Sequence, residues 1–132
     1  MRFAVLVLAA AILTPAAAFA AEQGALGMEI IAAQVAARSG SRNIRDLEAI
    51  HERMQASINC LVGPKHPDFV ATVRNPCAET GNGVIPDTAD PAKKAKYMEA
   101  VAKLKTGLAN EDRAAAMQIA LDSADMIVAV SE

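Results

Sequence analysis

Between Cys60 and Pro91 the chain holds five of its six prolines and both of its cysteines. Gly63-Pro64, Asn75-Pro76-Cys77, Gly81-Asn82-Gly83 and Asp90-Pro91 all fall in this stretch. Each proline removes a backbone donor and fixes φ, so no long helix or central strand can run through such a segment. The sequence on either side has helical periodicity. The chain is therefore predicted to be two helical halves joined by one long connection. Cys60–Cys77 is the one intramolecular bridge that two cysteines allow. It would fold the first half of the connection back over the end of the preceding helix. Redox exchange favours Cys-x-x-Cys, and a metal site asks for more Cys or His nearby, so the pair is read as a structural staple. Closing a loop of this length stabilises by about 3 kcal/mol in the chain-entropy picture.

A lasting bridge needs an oxidising compartment, and the N-terminus supplies a route to one. Met1-Arg2 carries one positive charge, Phe3 to Leu13 is apolar throughout, and Thr14-Pro15 breaks the run. Ala18-Phe19-Ala20 then places small residues at alternate positions, as a signal peptidase requires. Residues 1–20 are expected to be a cleaved signal peptide and residues 21–132 a single helical domain, periplasmic or secreted. No cysteine stands at the expected cleavage point, so neither a lipid anchor nor a stable membrane anchor is expected after processing. Loss of Arg2 leaves 15 acidic against 12 basic residues, a net charge near −3. Nucleic acid needs a concentrated basic face, so it is not an expected partner.

Four helices are predicted, over about 22–38, 43–62, 91–106 and 111–130, with a loop over 63–90. In the first, Leu26, Ile30, Ala33 and Ala37 share a stripe, with Ile31 and Val35 beside it. The second is predicted to be capped by Asn43, with a seam of Ile44, Leu47, His51, Met54, Ile58 and Leu61. Gly63-Pro64 is its stop signal. Asp90-Pro91 starts the third helix, an N-cap acceptor followed by proline at the first helical position. Tyr97, Val101, Leu104 and Leu108 are its seam, and Thr106-Gly107-Leu108 reads as a glycine-terminated end. Asn110-Glu111-Asp112 is expected to cap the fourth helix, whose seam runs through Met117, Leu121, Ala124 and Val128. The short link between the last two makes them an antiparallel hairpin. The fold class that follows is all-α: a small four-helix bundle-like domain with a disulfide-stapled loop between its second and third helices.

The sequence offers few chemical constellations. His51 and Met54 stand three apart on one helix, a spacing that suits haem iron or copper as a soft-metal carrier. The competing reading is a core-edge histidine beside a gap-filling methionine. Glu48, His51 and Glu52 cluster within one turn, yet on an amphipathic helix they read as its wet edge, with Arg45 and Arg53 as partners. His66, Asp68, Glu79, Asn82, Asp87 and Asp90 do not follow the spacing of a calcium loop. No motif positions a nucleophile, so the expectation is not an enzyme but a binding or accessory module of the cell envelope, engaging another envelope protein or itself. Candidate contact residues are Phe69, Arg74, Val84 and Ile85 in the loop. Ile119 and Met126 join them, because they lie off the fourth helix's seam and would form an exposed patch unless the first helix covers them.

Overall fold

A computed structural model describes the backbone of residues 15–42 and 46–132, and the side chains from residue 24 onward with the same gap. Residues 1–14, most of the apolar leader, lie outside it, as do Asn43, Ile44 and Arg45. The described residues form five helices and no strand: α1 (Pro15–Ser39), α2 (Leu47–Val62), α3 (Val84–Asp87), α4 (Pro91–Leu108) and α5 (Arg113–Ser131). Expected helices three and four are α4 and α5. The all-α bundle follows from the sequence as read. The differences are the single turn α3 inside the loop and the start of α1 at Pro15, ahead of the expected start near residue 22, so that α1 runs through the expected cleavage point.

Neighbouring helices run antiparallel. Ser57 on α2 donates to the Ala33 carbonyl on α1 at 2.8 Å, and Cys60 lies beside Glu29. Along the α4–α5 hairpin Lys103 pairs with Asp122 at 3.1 Å. Arg38 at the end of α1 pairs with Asp125 on α5. Helices α1, α2, α4 and α5 thus form an up-down-up-down ring, with short links at α1–α2 and α4–α5 and the long loop between α2 and α4.

The helix starts are fixed by aspartates. Asp46 caps α2 by accepting from Glu48 N at 3.0 Å, so the cap lies three residues later than the expected Asn43. Asp90 caps α4 as predicted, accepting from Ala92 N at 2.8 Å. For α5 the cap is Asp112, which accepts from Ala115 N at 2.7 Å, rather than Asn110. Asn110 instead accepts from Asp112 N and shapes the turn before the helix. Each aspartate satisfies amide donors that the first helical turn leaves unpaired.

The buried faces differ from the expected seams in two helices. On α2, Ile50, Met54, Ile58 and Leu61 are fully buried, whereas Leu47 and His51 sit half-buried at the edge. On α5 the core face is Ala116, Ala120, Ser123, Ala124, Ile127 and Val130, while Met117, Leu121 and Val128 are half-buried. The reason is close approach. Ala33 and Ala37 on α1 are also fully buried, and small residues on facing helices let backbones pack at short range. Gly107 shows the same logic. It lies inside α4 and does not end it, because a Cβ there would come within 2.8 Å of the Met54 thioether on α2.

Candidate functional site

The loop that dominates the sequence is closed down almost everywhere. Cys60 and Cys77 are paired with a Cα–Cα distance of 5.0 Å, and both are fully buried. Their sulfurs lie 3.3 and 3.6 Å from the Glu29 carbonyl oxygen of α1. A paired cysteine couple of this kind fits an oxidising, non-cytoplasmic environment.

The segment 67–75 is neither helix nor strand; it is a succession of turns read out by one side chain. Asn59, fully buried on α2, donates through Nδ2 to the carbonyls of Val70 at 2.9 Å and Val73 at 3.0 Å, and reaches Arg74 O at 3.4 Å. Its Oδ1 accepts from Val70 N at 2.9 Å and from Gln55 Nε2 at 3.0 Å. Gln55 also donates to the Asp68 carbonyl. These bonds satisfy backbone groups that an irregular segment would otherwise bury unpaired. Lys105 on α4 pairs with Asp68 at 2.8 Å, tying the loop to the third side of the bundle.

The second half of the loop crosses the end of α2 at two glycines. Gly63 has φ of 75° and Gly83 of 115°, both in the region that disfavours other residues. A Cβ on Gly63 would fall on the Asn82 carbonyl, and one on Gly83 would lie 2.8 Å from Gly63 N. Glu29 locks the crossing from the α1 side. Its carboxylate is fully buried, and Oε1 accepts from Gly83 N at 2.9 Å. Asp87 faces it across Gly81 and accepts from Asn82 N at 2.8 Å and from Asn82 Nδ2 at 3.0 Å. Burial pushes the Glu29 carboxyl above the usual carboxylate range and the Asp87 charge adds to this, against the lowering effect of the Gly83 amide.

The candidate residues separate cleanly. Val84 is fully buried and Phe69 and Ile85 pack part-buried against the core, so these three seal the bundle. Ile119 and Met126 are likewise part-buried against the core, Ile119 beside Gly107 of α4, and Val130 is buried. Arg74 is the one loop candidate left exposed. His51 Nε2 lies 3.1 Å from the Asn110 carbonyl. A carbonyl can only accept, so Nε2 carries the proton and braces the α4–α5 turn. Met54 is in the core against Gly107. Among the described residues, no three His, Cys, Asp or Glu side chains gather to hold a metal ion.

What the structure leaves open lies elsewhere. A groove of about 610 Å³ runs between α1 and α2, with one end at Arg74 and Pro76. One wall is Met28, Ile31 and Val35 of α1, which are 59%, 60% and 56% exposed. The floor is Ala32, Ala36, Ala49 and Ala56, and the far wall is Glu52 and Arg53. Among the described residues neither Arg53, Arg74 nor Glu52 has an ion-pair partner. The signal for this face was present in the sequence. Met28, Ile31 and Val35 follow spacings of three and four, a second apolar stripe on a helix that already had one. A globular helix with one neighbouring side to cover needs only one such stripe.

No protein-family model matches the chain, and no curated protein or solved structure matches it either.

Proposed function

We propose that the protein is an exported, non-enzymatic helical module that acts by binding in the cell envelope or the secreted space. The observation that carries this reading is the groove between α1 and α2. Three large apolar side chains, each more than half exposed, stand together over an alanine floor, with charges at the rim that lack an ion-pair partner among the described residues. Apolar surface gathered in this way, rimmed by polar groups, marks an interaction site in a soluble domain. Export rests on the apolar leader with its Ala18-Phe19-Ala20 end and on the paired cysteines. The remainder of the molecule is a rigid mount. Its staple, its capped helices and its Asn59-organised loop hold α1 and α2 in fixed register, which reduces the entropy lost on binding.

Two measurements test the reading. In cells carrying the full chain, N-terminal sequencing of the processed protein should start at or near Ala21, and the protein should appear in the envelope or secreted fraction. A photocrosslinking amino acid at Ile31 should give a discrete adduct in those cells, and the same probe at exposed Ala102 on α4 should not. A cytoplasmic, unprocessed protein would overturn export. No adduct at Ile31 would overturn the binding role.

A further inference from the structure

We infer that the groove between α1 and α2 is filled by the same groove of a second copy, giving a two-fold dimer with an α1, α2, α1, α2 interface. The inference rests on the reading of this groove as a binding surface and names its occupant. A two-fold interface is isologous, so a single face must carry both halves of every contact. This face does. Met28, Ile31 and Val35 project from α1 at spacings of three and four, the arrangement of knobs along a helix seam. On α2, Ala49, Glu52, Arg53 and Ala56 stand at i, i+3, i+4 and i+7, the four corners that enclose a hole for one knob. The alanines at two corners leave the hole open. The knobs and the hole lie on adjacent helices of one face, so inverting a second copy sets each set against the other.

The charges favour a copy over an unlike partner. An acidic partner would be matched by a rim of one sign. Here Glu52 stands with Arg53 and Arg74, so the rim carries both signs, and all three lack an ion-pair partner among the described residues. Across a two-fold axis the carboxylate of one copy meets a guanidinium of the other, and the reverse contact forms at the same time. Such self-matched charge sets the register more than it sets affinity.

Sedimentation velocity of the full chain, expressed with its own N-terminus and allowed to process, tests this over a wide concentration range. The wild type should shift from monomer to dimer. Val35→Asp should raise the dimer dissociation constant by at least about tenfold, with an unchanged circular dichroism spectrum because the residue is exposed. Glu52→Arg alone, and Arg53→Glu with Arg74→Glu, should each weaken self-association, since each leaves a rim of one sign. Mixing the two should restore a dimer. The Ile31 crosslinker should yield an adduct of twice the chain mass. A protein monomeric at every concentration, with an Ile31 adduct to a different protein, overturns the second copy while the binding role stands. A monomer with no adduct removes both. A dimer indifferent to Val35→Asp and to the charge swaps places self-association on another face and overturns the inference.

Discussion

The loop and the groove reverse each other. The loop is conspicuous in sequence, with its prolines, glycines and both cysteines, and in the structure Phe69, Val84 and Ile85 are turned inward while Val70 stays exposed. The groove is lined by ordinary helix residues, and there the apolar members are turned out. Sequence punctuation marks where the backbone needs special help, and here that help is spent on closing one end of the bundle. A surface left open needs no such help. It shows only as an excess of apolar side chains over what one helix face can bury.

The sharpest way to break this contrast is at Asn59. Asn59→Ala would strip partners from Val70 N and from the carbonyls of Val70 and Val73. Each buried group left unpaired costs about 1–3 kcal/mol, so a loss of about 3–4 kcal/mol is expected in urea denaturation. Limited proteolysis should then cut first between Asp68 and Arg74. A loss below 1 kcal/mol, about one ordinary hydrogen bond, would mean that the loop is ordered by something other than this residue. Replacing Cys60 and Cys77 together by serine comes next, at about 3 kcal/mol from the freed loop entropy. Cutting between Pro64 and Gly83 should precede cutting in the helices. Self-association should survive, because the groove walls lie on α1 and α2.

Glu29 gives a smaller effect with a defined sign. Its carboxyl is held above the ordinary range by burial and by Asp87, so the folded protein binds more protons than the unfolded chain between the two pKa values. Stability should therefore fall as pH rises from the ordinary carboxylate range through the raised folded value, then level off. Glu29→Gln keeps an acceptor for Gly83 N and removes the buried charge. It should flatten that slope and raise the melting temperature above it. Glu29→Ala loses the acceptor as well; it should cost about 2 kcal/mol below the raised folded value and less above it, where the wild type has lost the protonated form's stability. A wild-type slope unchanged by Glu29→Gln would place the titrating group elsewhere. The smallest stability effect belongs to the groove: Ile31→Ser should change unfolding by no more than about 0.5 kcal/mol while it weakens self-association. A large loss of stability would show that Ile31 supports the core.

Much of the architecture was legible because it follows from local chemistry. Asp90-Pro91 starts α4 as its residues dictate, and Gly63-Pro64 stops α2. The errors share one cause. Asn43 and Asn110 are good caps in isolation, but an aspartate two or three residues later competes in each case and wins. Gly107 resembles a terminator by type, yet its role is set by a methionine 53 residues earlier in the chain. The periodicity of α5 points to its larger side chains Met117, Leu121 and Val128, whereas the bundle buries its alanines, since helix spacing is decided by both partners at once. Neither Asn59 nor Glu29 advertises its role, because a polar residue on a helix looks solvated until the loop that covers it is placed. The face of Met28, Ile31 and Val35 is half-visible in the sequence: Ile31 and Val35 lie beside the Leu26–Ala37 stripe, and their meaning depends on which side of α1 stays bare.

The Asn59 contacts carry one more consequence. In the loop they meet only main-chain atoms, Val70 N and O, Val73 O and Arg74 O. The shape of residues 70–74 is thus recognised without regard to the side chains displayed there, and Val70, Ala71, Thr72 and Arg74 all face solvent. The segment works as a socket with exchangeable fittings. New side chains at these positions should leave its path intact, so the loop can change what it presents beside the groove without being rebuilt.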